Sequence, residues 1–179
     1  MDPWQAGFGA HQEAVQGVVA AVRAVPKERW TVAPAAGKWS AAEVIQHLIM
    51  TYEHLTGEQE GRRAIPVLVP RWKAWTLRQF ALPRLLAGRP IPPGVRAPRE
   101  VRPVGDPLER EAAIREFERV TSEWEAAMAR NLPMASARAV HPFFGALPMP
   151  TMLRFATLHT NHHRRQIALA AEGRTLHGS

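Results

Sequence analysis

The chain has 179 residues, 46% of them hydrophobic, and a net charge of +7. That length suits a single domain, here taken as 1–179, with enough chain for a sizeable core. The absence of cysteine excludes disulfides, thiolate ligands and a cysteine nucleophile, so any transition-metal site must use nitrogen and oxygen ligands.

The N-terminus, "MDPWQAGFGAHQEAVQGVVAAVRAV", offers neither a basic leader nor an apolar targeting core. No uncharged apolar run approaches the ~20 residues of a membrane span, so a cytoplasmic protein with no membrane span is expected. A first helix is predicted from about Gly9 to Val25, with Val15, Val18, Val19, Val22 and Val25 as its apolar stripe. A second follows in "KWSAAEVIQHLIMTYEHLTGEQEG". There Ser40 and Glu43 form a capping box that starts the helix at Ala41. Val44, Leu48, Thr51 and Leu55 lie along one of its faces.

Arg62 to Gly105 carries eight of the sixteen prolines and is too long for a simple bundle loop. Between Arg62 and Arg102, ten Lys/Arg stand against one acid, Glu100, so this stretch nets +9 and the remainder −2. Its middle, "PRWKAWTLRQFALPRLLAGRP", reads as a short helix followed by an extended Pro-rich return. Pro83 should interrupt any longer amphipathic helix. A further bundle helix is predicted from Asp106 as N-cap and Pro107 in the first helical position, burying Phe117, Thr121, Trp124 and Met128. The last runs from about Pro150 to Glu172, with Gly173 as its stop. No segment shows strand alternation. The expectation is an all-α four-helix bundle with a long Pro/Arg-rich insertion between its second and third helices.

"TLHTNHHRRQIALAAEG" holds three of the eight histidines within five residues. On a helix His159 and His163 differ by about 40° in direction and one turn in height, so two imidazoles can converge on one ion. Met152, Phe155, His159, Gln166 and Ala170 define a narrow inward stripe, with His163 at its edge. Imidazoles facing a core are costly unless their nitrogens are satisfied. His47 lies on the inward side of the second helix and can supply a third ligand. Taken singly, each histidine is more often a satisfied or solvated side chain than a ligand, and His-x-x-x-His alone is a weak motif. Of the neighbours, Gln166 can bond a ligand's second nitrogen, and His162 belongs either behind a ligand or on the surface. His54 falls two turns beyond His47, Glu43 is accounted for by its capping box, and His141 before Pro142 should make a turn contact.

"KWSAAEVIQHL" resembles the second-helix signature of the DinB-like (DinB/YfiT-like) superfamily of metal-binding four-helix bundles. "LHTNHHRRQI" resembles its fourth-helix signature, and "HPFFGALP" looks like a segment of one of its branches. The three occur in the right order across residues 9 to 173. The resemblance implies that His47, His159 and His163 hold one divalent ion, nickel or zinc, in a protein that can form a homodimer. The chain departs from the pattern in having Pro148 and Pro150 where a Ser/Thr cap is usual, and in a longer, more basic segment before the third helix.

Three neutral imidazoles leave such an ion its full charge, which favours ionisation of a bound water or thiol. The family precedent points to S-transfer from a low-molecular-weight thiol to a small electrophile. A metal-dependent hydrolase at the same site is the alternative. So is a non-enzymatic partner-binding protein with a structural metal. Beyond the ligands no general base stands out, with Glu43, His54 and His162 as the candidates. Trp72, Trp75, Leu77, Phe80, Leu82, Leu85 and Leu86 among the arginines could suit an anionic membrane or nucleic acid. The simpler expectation is a capping helix whose aromatics pack on the bundle, with no nucleic acid partner.

Overall fold

Ser40 starts the helix that the sequence defines most sharply. Its hydroxyl accepts from the Glu43 N–H at 3.3 Å, while the Glu43 carboxylate accepts from Ser40 N–H at 2.8 Å. The capping box is complete, and helix α2 spans Ala41–Gln59. In this computed structural model, residues 3–62, 65–92, 95–131 and 137–176 are described. Residues 63, 64, 93 and 94 of the basic segment, and Leu132 after the third predicted bundle helix, lie outside them.

Helix α1, Pro3–Arg23, begins several residues before the predicted start. Gly7 and Gly9 weaken the helical signal there, yet Gly7 is where α1 presses on the last helix. A Cβ on it would come 2.8 Å from Leu153 Cδ2. Trp4 and Phe8, stacked at 6.3 Å, pack against the core and hold this first turn. The valine stripe is buried throughout. Pro26 disfavours helical geometry at Val25, so the helix ends earlier than predicted.

The basic connection is more helical than expected. Helix α3, Arg71–Thr76, runs through a π-helical turn, Leu77–Ala81, into helix α4, Leu82–Leu86. Pro83 does not interrupt this run. Its ring would clash with a carbonyl in a regular helix, and the widened turn, in which Leu82 N–H bonds the Leu77 carbonyl, absorbs the conflict. A second correction concerns which side faces inward. Ala74 and Leu82 are buried and Leu77, Leu85 and Leu86 pack on the core, but Trp72, Trp75 and Phe80 are exposed. The aromatics therefore do not pack on the bundle.

Helix α5 spans Arg110–Asn131, not from Pro107. The Leu108 carbonyl is taken by the Trp30 indole N–H at 3.1 Å, and Arg110 lies over the Trp30 ring. That contact holds Asp106–Glu109 out of the helix, whose first bond runs from Ala113 N–H to Glu109 O. Its predicted buried side, Phe117, Thr121, Trp124 and Met128, is buried as expected.

Two short strands that the sequence did not signal form an antiparallel hairpin, β1 Arg138–His141 and β2 Gly145–Pro148. Four-residue strands, one ending in proline, are too short for alternation to show. The hairpin holds instead by tertiary contacts. Glu58 of α2 accepts from Val140 N–H at 3.1 Å, and Ala139 and Leu147 are fully buried. Helix α6, Met149–Ala171, follows directly, and Gly173 at φ +73° stops it as predicted.

The four long helices, α1, α2, α5 and α6, pack in a ring. Helix α1 lies against α6 and α5, and α2 lies against α5 and α6. Trp124, Tyr52, Phe117, Ile45, Leu48 and Met128 fill the centre. Each such side chain contributes about 1.5–3 kcal/mol by leaving water. The molecule is mostly helical, and among the described residues no helix is long and apolar enough to cross a membrane.

Candidate metal site

Because the capping box sets the start of α2, His47 falls on that helix's buried face, beside Val44 and Leu48. His163 lies on the buried stripe of α6, with Met152, Ala156, Thr160 and Ile167, while His159 stands at its edge. The two histidines thus exchange the positions predicted for them. The stripe's centre follows the α1 contact, where Gly7 meets Leu153, a packing detail invisible in the periodicity.

Adjacency of α2 and α6 brings the three imidazoles together. Ring centroids are 4.7 Å apart for His47 and His163, 5.6 Å for His47 and His159, and 4.4 Å for His159 and His163. One nitrogen from each lies within 4.8 Å of the other two. Among the described residues, no fourth His, Asp or Glu joins this group.

Outer hydrogen bonds decide which nitrogens face one another. The Val101 carbonyl can only accept, so His47 Nδ1 carries a proton and donates to it at 2.7 Å, leaving Nε2 as a lone pair. His163 Nδ1 likewise donates to Gln166 Oε1 at 2.9 Å. His163 Nε2 then presents a lone pair to His159 Nε2 at 3.0 Å. At that distance the two nitrogens are joined either by the Nε2–H of a neutral His159 or by a cation between them. This donor set suits a borderline-soft divalent ion, for which neutral imidazole is a common ligand.

Electrostatics keep the imidazoles neutral. Burial lowers the His47 pKa, partly offset by its bond to Val101. Burial pushes His159 and His163 well down, and the other histidines of the cluster push both further. Neutral imidazole is the form that binds metal, so the site is poised for a cation at neutral pH.

The wall is largely aromatic. Trp39 packs on His47 at 5.0 Å, and Phe155 stacks on His159 at 6.0 Å. His141 meets Phe155 edge-on at 4.6 Å and stacks on Phe144. It makes the expected turn contact, its Nδ1 accepting from Phe143 N–H at 3.2 Å. Gln166 bonds the outer nitrogen of His163, the kind of contact expected of it from the sequence. His162 sits edge-on to His163 at 5.1 Å. His54 turns away and donates to the Met50 carbonyl of its own helix, and Glu43 is occupied by its cap. Sequence reasoning missed Val101 and Trp39. A carbonyl carries no residue signature, and Val101 lies 54 residues from His47, beyond the end of α2 and most of the Pro-rich connection. Trp39 stands just before the cap, where no helical register aims it.

The family model of the DinB superfamily matches residues 10–167. No curated protein and no solved structure matches the chain significantly.

Proposed function

The chain belongs to the metal-binding DinB superfamily, and we propose that it uses His47, His159 and His163 to hold one divalent ion, nickel or zinc, in a metal-dependent enzyme of the low-molecular-weight-thiol S-transferase type. One observation carries this reading. Three imidazoles, His47 and His163 buried and His159 half-buried, converge while Val101 and Gln166 occupy the outer nitrogens of two of them. When bound there, the ion supplies a Lewis-acid charge that favours deprotonation of a thiol or of water.

The chain's own residues do the rest. Val101 and Gln166 fix the ring orientations and tautomers of His47 and His163, which spares the site the entropy of ordering them. Trp39 and Phe155 keep water from two sides, where low polarity strengthens every charge interaction. Among the described residues the histidine group has no carboxylate, and Glu43 is engaged in its cap. A hydrolase would want such a base beside its water, which favours a thiol cosubstrate attacking a small electrophile. The absence of cysteine agrees with the thiol arriving from outside. Among the described residues no fourth side chain joins the group, which favours an open, catalytic position over a closed, structural one. On this reading residues 1–179 form one cytoplasmic domain, and the Arg62–Gly105 connection is an insertion in the bundle.

Metal analysis of untagged protein tests the site. One ion per chain is expected, lost in His163→Ala and retained in His54→Ala, with the helical spectrum kept in both. Undiminished metal in His163→Ala would sink the assignment. Cobalt substitution then separates enzyme from scaffold, since an added thiol should change the visible spectrum. If thiols, azide and imidazole all leave it untouched, the structural-metal reading stands in its place.

A further inference from the structure

The outward face of the basic connection is not used by the metal site. Trp72 is 70% exposed, Trp75 54% and Phe80 67%. Among the described residues these are the exposed large aromatics, and they fall within ten positions of one another. Val67 and Leu68, just before them, are also exposed. The π turn helps to gather them. It spends an extra residue on one turn, so Phe80 swings back towards the side that carries Trp72 and Trp75.

The helical run is held down rather than hanging free. Arg78 donates to the Ala146 carbonyl of β2 at 3.3 Å, Arg154 of α6 donates to the Leu86 carbonyl at 2.9 Å, and Leu68 N–H bonds the Pro142 carbonyl at 2.8 Å. With Ala74 and Leu82 buried beneath it, the helix cannot roll to hide its aromatics. Arg71, Lys73, Arg84 and Arg89 are exposed around them, and none belongs to an ion pair among the described residues.

We propose that this face, Trp72, Trp75 and Phe80 ringed by Arg71, Lys73 and Arg84, docks the protein reversibly on an anionic lipid surface. Tryptophan favours the headgroup level of a bilayer, where its ring is buried and its N–H stays wet. Arginine and lysine beside it gain from anionic headgroups. A helix with one face on its own protein and an aromatic, basic face outward is suited to lie in that plane. A second copy of the chain is disfavoured on this face, because it would set two segments of net +9 against each other. Nucleic acid would use the bases and could stack on the aromatics, but Val67 and Leu68 offer it nothing, whereas they add buried area against lipid.

Sedimentation with vesicles of phosphatidylglycerol and phosphatidylcholine, against phosphatidylcholine alone, tests this. Binding should need the anionic lipid and weaken with salt. Exchanging Arg71 and Arg84 for Gln should lower it about fivefold per charge. Trp72→Ser with Trp75→Ser should reduce it by about tenfold or more while metal content and melting stay unchanged, since both side chains are exposed. Three results would overturn the proposal. One is no binding to anionic vesicles, or binding indifferent to the tryptophan pair. Another is tighter binding to duplex DNA that depends on the same residues. The third is a concentration-dependent dimer lost in the tryptophan variant without any vesicle binding.

Discussion

At the residue scale, the most consequential polar group outside the metal site is His11, wholly buried in α1. Its Nδ1–H donates to Glu125 at 2.5 Å, its Nε2 accepts from the Tyr52 hydroxyl at 2.6 Å, and Thr160 completes the chain at 2.7 Å. Each polar atom in this row has a partner, so the network is satisfied from end to end. It joins all four long helices through side chains alone. Burial raises the Tyr52 pKa far above the normal phenol range, so the hydroxyl stays a donor. Tyr52→Phe should therefore destabilise the fold by about 1–3 kcal/mol, the cost of a buried nitrogen left without its partner. Urea unfolding of the variant measures this, and a change within error would mean that another group satisfies His11.

At the element scale, the hairpin owes its turn to one imidazole. His141 Nδ1 accepts from Phe143 and Phe144 N–H, and burial among aromatic rings pushes its pKa down to about 3. An unfolded histidine titrates near 6.5. Between those values the unfolded chain holds a proton that the folded one excludes, so stability falls as pH drops below about 6.5 and the full value is present above it. His141→Asn keeps a side-chain acceptor for the turn but cannot titrate. It should flatten the pH dependence of metal-free stability by up to about 1.4 kcal/mol per pH unit across that window. Denaturant melts at several acidic pH values read the slope, and an unchanged slope would show that His141 is protonated in the folded hairpin. The histidines of the metal site act in the same direction, since their pKa values are also lowered by burial.

At the scale of the whole molecule, the proposed ion would join two helices, α2 and α6, that otherwise meet through core packing and the Tyr52–Thr160 hydrogen bond. An ion that binds only the folded arrangement must raise its stability, by about 2.7 kcal/mol at one hundred times the dissociation constant. Calorimetry of chelated and metal-loaded protein should show a higher melting temperature for the loaded form. Equal melting at verified occupancy would mean that the ion also binds the unfolded chain, or binds elsewhere. In His163→Ala the shift should vanish.

What the sequence determined by itself is whatever depends on neighbours along the chain. The Ser40–Glu43 box, the valine stripe of α1 and the Gly173 stop all rest on contacts within a turn or two, and each is found where spacing placed it. That His47, His159 and His163 should meet could be argued from helical faces, because a face is also a local property. The tertiary structure decided what distant partners impose. Trp30 takes the Leu108 carbonyl and delays α5, Glu58 supports a hairpin too short to announce itself, and Val101 sets the tautomer of His47. It also decided which side of the Arg71–Leu86 run faces the bundle. Aliphatic and aromatic residues sit on both sides of that run, so periodicity left the choice open. Burial of Ala74 and Leu82, with the helix tied down through Arg78 and Arg154, turned its tryptophans outward.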